Sequence, residues 1–178
     1  NTISDLIWLR ESGLEPAILR KTEFDRVPVI GICGGYQMLG EQLSDPNGVE
    51  GEEGRIIRGM GLLPARTVFE QRKTRGQTEV ILRKNTGMFE KCDVGTRITG
   101  YEIHMGITEL TGKAEPIFAK TQDNQSQTTQ TVQTMVHQNW EGLEREDGLV
   151  IGTYLHGLFD NEELVSALLE KLAEKKGI

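Results

Sequence analysis

The sequence predicts an α/β layered domain with a largely parallel sheet, and three observations carry that expectation. Residues 27–33 and 149–155 are compact apolar runs rich in β-branched side chains, the first entered through Pro28. Apolar residues at helical spacing follow, at 36–43 after the first run and beyond Asn161 after the second. Each run leads into a chemically reactive side chain beside glycine, Cys33-Gly34-Gly35 in one case and His156-Gly157 in the other. At 178 residues the chain has the size of one domain with one sizeable core, and it contains no internal repeat.

In order, a first helix is expected from Thr2 or Ser4, with Ile3, Leu6, Ile7 and Leu9 as its apolar stripe and Gly13 as its stop. A short helical or irregular segment follows to Arg20. The strand at 27–33 then turns sharply into the helix at 36–43. Residues 44–61 are dense in Gly, Pro, Asn and Asp and read as a surface loop. Strands are expected at 62–69, 78–82 and 97–103. Residues 121–133, TQDNQSQTTQTVQ, are nearly devoid of apolar groups and read as a mobile loop. After the strand at 149–155, Asn161 is expected to cap a last helix. Glu162 and Glu163 are expected in its first turn and Lys171, Lys175 and Lys176 in its last, the order that the helix dipole favours. Leu164, Val165, Leu168, Leu169 and Leu172 are its expected buried face.

Composition excludes several classes of function. With 20 Lys+Arg against 27 Asp+Glu, the net charge is −7 and no basic stripe exists, which disfavours nucleic acid as a partner. No apolar run approaches the ~20 residues needed to cross a bilayer, and the opening NTISDLIWLRESG lacks the basic end of a signal peptide, so a cytoplasmic, non-membrane protein is expected. Two cysteines in unlike surroundings do not suggest a disulfide framework, and three histidines without paired spacing do not suggest a metal site.

The turn after residues 27–33 is where chemistry is expected. Ligands gather at the carboxyl ends of strands in α/β domains, and Cys33 is placed to project there. Gly34 and Gly35 leave the approach open and are free to adopt the strained turn, and a backbone N–H after the cysteine can face an oxyanion. The positive end of the following helix is expected to favour the thiolate. The layout is that of a nucleophile elbow in an acyl-transfer enzyme. An inert buried cysteine on a tight turn would give the same string. His156, ending a second strand on the same sheet edge, tips the reading toward a nucleophile with its base.

GICGGYQMLG resembles the nucleophile motif of class I, triad-type glutamine amidotransferases: a cysteine, a glycine two places later and a glutamine four places later, here Cys33, Gly35 and Gln37. DPNGVEG, GMGLLPART, GYEIHMG and GTYLHGLFDN follow in order and resemble the CobB/CobQ-like branch, in particular the glutaminase domains of cobyric acid synthases. The likeness covers nearly the whole of residues 1–178. It implies a flavodoxin-like α/β fold, with Cys33 as the nucleophile on the glutamine amide and His156 as the base. Gly34, Gly35 and Gln37 would hold the substrate, Gly34 through its amide at the oxyanion. The position two after the histidine, a carboxylate in the usual triad, is Leu158. Glu102 and His104, which alternate onto one strand face, are the candidates to orient His156, or else a polar solvent face.

The resemblance also implies partners. An ATP- and Mg-dependent amidoligase domain, on the same or a neighbouring chain, would hold the corrinoid substrate, adenosylcobyrinic acid a,c-diamide. No GxxxxGK(S/T) string occurs in this chain, and no cofactor or metal is expected in it. The family places further strands of the sheet, and a loop completing the oxyanion hole, ahead of the cysteine strand, so the domain is expected to be truncated at its N-terminus and poorly active by itself. Two other readings stay open: a glutaminase subunit of lipid II amidation, and a non-catalytic amidotransferase-like binding module.

Overall fold

The computed structural model describes residues 1–121 and 139–177, so the loop expected at 121–133 lies, beyond Thr121, outside the described residues. In chain order the elements are α1 (Thr2–Glu11), α2 (Leu14–Glu23), β1 (Val29–Ile32), α3 (Gly34–Leu39), β2 (Gln42–Asp45), β3 (Arg55–Arg58), β4 (Ala65–Leu82), β5 (Arg97–Leu110), β6 (Ala114–Lys120), β7 (Trp140–Arg145), β8 (Val150–Thr153), β9 (Leu155–His156) and α4 (Glu162–Lys176). The strands form one sheet in the order β1-β8-β7-β6-β4-β2-β3, and β5 pairs with both β4 and β9. No helix among the described residues is long and apolar enough to cross a membrane.

The sheet corrects one expectation. Only β1–β8 and β2–β4 run parallel; the other described pairings are antiparallel. Connection length explains part of this. β7 reaches β8 through residues 146–149 alone, far short of the dozen or so that a parallel crossover needs.

Helices cover both faces of the sheet. Val150 of β8 packs in a cluster with Ile3, Leu6, Tyr36 and Leu39, beneath α1 and α3, whereas its neighbour Ile151 packs with Phe89, Ile117, Leu158 and Leu164, beneath α4. That alternation is the period-2 rule of a strand buried on both sides.

Locally, α1 begins where expected, with the Asn1 side chain accepting the Ser4 N–H, and Gly13 takes a left-handed φ of 78° between α1 and α2. The helix expected at 36–43 is earlier and shorter. At Gly40 a Cβ would lie 2.7 Å from the Ala65 carbonyl oxygen, and the chain leaves the helix there and runs on as β2. The loop expected at 44–61 contains β3, paired antiparallel with β2. The strands expected at 62–69 and 78–82 are two ends of β4, which has a register shift between Val68 and Lys73. In α4, Leu164 is buried but Leu169 is 59% exposed, against the expected stripe. Asn161 makes no capping bond; its amide instead ties Thr99, Gly157 and Leu158 together.

Candidate active site

The site begins with a close approach that only glycine permits. At Gly31 of β1 a Cβ would stand 2.8 Å from the Gly35 carbonyl oxygen, and at Gly152, its partner in β8, a Cβ would overlap the Tyr36 ring. These two glycines form a channel into which α3 settles against the sheet. The chain must therefore turn abruptly between β1 and α3, and Cys33 makes the turn at φ 55°, ψ −112°. Strain at the turn was expected to fall on Gly34 and Gly35; it falls on the cysteine, as a non-glycine residue held at positive φ beside a functional group.

Cys33 is half-buried, and its N–H donates to the Thr153 carbonyl at 2.9 Å. Its Sγ–H donates to the Ile103 carbonyl of β5 at 3.3 Å. Burial pushes the thiol pKa up; the Gly34 N–H pulls the other way, and the Glu50 carboxylate adds to the rise. The surroundings run against the expected thiolate: desolvation of the half-buried sulfur and the Glu50 carboxylate outweigh the Gly34 N–H. The Gly34 N–H favours the ionised sulfur, and a Cβ at Gly34 would crowd the Thr2 hydroxyl, while Gly35 opens onto free space.

Glu50 is placed by the loop it sits on. The buried Asp45 carboxylate accepts the Val49 and Glu50 N–H groups at 2.7 Å each, and Glu50 accepts the Thr2 N–H at 2.6 Å. A negative charge near Cys33 was not read from the sequence.

His156 lies at the same end of the sheet as Cys33. Ile32 pairs with Thr153, so His156 follows three residues beyond the neighbour of the cysteine strand. Its Nε2 is buried without a hydrogen-bond partner, and no hydrogen bond joins it to Cys33, whose thiol is engaged with Ile103. The ring stacks on Tyr101, with centroids 5.1 Å apart and planes 7° from parallel.

Three expected site residues have other partners. Gln37 is buried, its amide nitrogen donating to the Met105 carbonyl and the Tyr154 hydroxyl and its amide oxygen accepting from Thr2, so the side chain expected to hold substrate braces the core under the elbow. Glu102 does not reach His156. In the β5–β9 pairing Tyr101 stands opposite His156 and Glu102 opposite Leu155, so Glu102 points to the other face. There it ion-pairs with Lys120 at 2.8 Å and lies beside His104, whose ring stacks on Tyr154 at 3.7 Å. Burial pushes the Glu102 carboxyl up, but His104 and Lys120 outweigh it and hold it below its ordinary value. Glu102 and His104 lie side by side on one strand face as alternation predicted, but turned away from His156.

Behind β8 lies Glu141 of β7, fully buried, accepting the Thr153 hydroxyl at 2.6 Å and the Tyr154 N–H at 2.5 Å. It fixes the break between β8 and β9 that carries His156. Only cross-strand register identifies Glu141 and Tyr101; for Gly31 the spacing Gly31-x-Cys33-x-Gly35 was the available signal.

Residues 1–164 match the family model described as a CobB/CobQ-like glutamine amidotransferase domain. The whole chain is 43% identical to part of the cobyric acid synthase of Lachnoclostridium phytofermentans, 39% to that of Klebsiella pneumoniae, and 40% to a probable cobyric acid synthase of Methanococcoides burtonii. It spans about a third of the length of each. Among solved structures it is similar to PurLQS from Thermotoga maritima (TM-score 0.61, 18% identity, 89% of this chain and 68% of that one) and to a glutamine amidotransferase (TM-score 0.56, 12% identity, 100% and 76%), which bears out the α/β fold. The chain belongs to the CobB/CobQ-like glutamine amidotransferase domain family.

Proposed function

We propose that this domain hydrolyses glutamine to glutamate and ammonia through a thioester on Cys33, and that the ammonia serves cobyric acid synthesis. Sγ attacks the side-chain amide carbon as His156 takes the thiol proton, and the Gly34 N–H faces the oxyanion. The tetrahedral species collapses, the C–N bond breaks, and His156 returns the proton to leaving ammonia. Water, deprotonated by His156, then opens the thioester to glutamate and the free thiol. The Ile103 carbonyl must release the thiol before attack.

The observation that supports this reading best is Cys33 held at positive φ at the end of β1, one strand from His156 and its unpartnered Nε2. The relatives named above, cobyric acid synthases or a probable one by name, favour an ATP- and Mg-dependent amidoligase acting on a corrinoid as the consumer of ammonia, over lipid II amidation. In the full-length protein, Cys33→Ser is expected to abolish amidation from glutamine and spare amidation from ammonia, since only thioester formation needs the sulfur. Equal loss with both nitrogen donors overturns the assignment. His156→Ala should slow glutamate release by ~10²- to 10⁴-fold, and near-normal turnover would place the base elsewhere.

A further inference from the structure

A base that accepts a proton from one atom and delivers it to another must hold its ring in one plane, and the usual device, a carboxylate hydrogen-bonded to the imidazole, is missing here. The position two residues past His156 is Leu158, fully buried among apolar side chains. Glu102 faces away, and both oxygens of Glu141 are taken by Thr153 and Tyr154. Among the described residues no side chain hydrogen-bonds the His156 ring.

We infer that Tyr101 is the positioning residue for His156, holding the imidazole by ring stacking. The inference rests on His156 being the base of the proposed reaction. Tyr101 stands directly opposite His156 in the β5–β9 pairing, and the two rings lie nearly parallel at 5.1 Å, an offset stack. The backbone is shaped for this contact. At Gly100 a Cβ would overlap the His156 carbonyl oxygen, so glycine there lets β5 close onto β9 and brings the Tyr101 ring down over the imidazole. Core packing does not account for Tyr101, which is 46% exposed and lies outside both apolar clusters. Its hydroxyl makes no hydrogen bond to another described residue, and its ring face is what meets His156.

A stacked ring also acts differently on the two states of the base. The face of an aromatic ring attracts a cation, so the contact strengthens when His156 has taken the thiol proton and become imidazolium. An interaction stronger after proton transfer than before it lowers the barrier rather than merely tightening substrate binding. A ring-face device therefore supplies both orientation and charge stabilisation, the two things a triad carboxylate supplies.

The test compares Tyr101→Phe, Tyr101→Leu and Tyr101→Gln in the full-length protein, with glutamate release and the His156 ring-proton resonances as readouts. The resonances are assigned through His156→Asn. In Tyr101→Leu and Tyr101→Gln, kcat is expected to fall about 5- to 10-fold with KM within about twofold of wild type, the size of effect an aromatic pair can exert. The His156 ring protons should move downfield as the ring current over them is lost. Tyr101→Phe should restore both. Wild-type kcat in the Leu and Gln variants, a Phe variant as slow as they are, or unmoved resonances would overturn the inference. If His156→Ala slows turnover and Tyr101→Leu does not, Tyr101 fails by itself. A wild type that releases no glutamate sinks the proposed function, and the resonances then decide whether the stack exists.

Discussion

Replacing Glu141 with glutamine should remove a pH-dependent cost that lies directly behind the turn carrying His156. Burial drives the Glu141 carboxyl from the ordinary 4.5 up to about 7 against the two hydrogen bonds from Thr153 and Tyr154, with the Glu102 carboxylate adding to the rise and Lys120 opposing it. Below 4.5 the group is protonated in the folded and unfolded chain alike. Between 4.5 and 7 the folded chain binds the proton more tightly, so stability falls as pH rises through that window and levels off above it. At 1.36 kcal/mol per pH unit, the displacement from 4.5 to 7 makes the cost about 3 kcal/mol at pH 8. Glutamine can accept the Tyr154 N–H through its oxygen and donate to the Thr153 hydroxyl, and it does not titrate. Urea midpoints of wild type and Glu141→Gln, at pH 4, 5, 6, 7 and 8, should diverge in favour of the variant by about 3 kcal/mol from the lowest pH to the highest. Surface carboxylates titrate in both proteins and cancel. Parallel midpoint curves would show that Glu141 is not a buried carboxylate on these partners.

Two further substitutions address the elbow. Cys33→Gly should end glutamine hydrolysis yet raise the urea midpoint by the equivalent of about 1 kcal/mol, because ~1–3 kcal/mol of strain at φ 55° is relieved and ~0.5–1 is returned through glycine's freedom in the unfolded chain. A lowered midpoint would mean that the turn is not strained. Gly152→Ala should destabilise by about 1–3 kcal/mol, since its methyl meets the buried Tyr36 ring, and should slow hydrolysis by lifting α3 and Cys33 off the sheet. Unchanged stability would show that the channel has room.

The elements legible in the sequence were α1, β1, β8 and α4, together with the start of β5 at Arg97. Others were hidden for identifiable reasons. The middle of β4, QRKTRGQ, is exposed and polar, so it shows no alternation and is a strand only because β5 pairs along it. β6 contains Pro116, which argues against a paired strand by itself. β7 buries Glu141 and Glu144 and carries Gly142 at φ 67°, three features that break a hydrophobic pattern. With β6 and β7 unseen, the short link into β8 was unseen too, and the sheet read as more parallel than it is.

The site divides along the same line. Cys33 and His156 were legible because their side chains are rare and reactive and stand beside glycine at the ends of apolar runs. Their supports act through cross-strand register, and register depends on which strands pair. Glu102 illustrates the difference. Alternation correctly placed it on one face with His104, but only the pairing of Glu102 with Leu155 and Tyr101 with His156 decides which of the two adjacent residues meets the imidazole. A shift of one residue would exchange them, setting a carboxylate on the ring and the tyrosine behind it. The observed register places an aromatic face there, and Leu158, where a triad carboxylate would stand, is free to serve as a buried core residue beneath α4. With the His156 ring stacked on Tyr101, the position two residues past the histidine is open to packing, and in this chain packing has taken it.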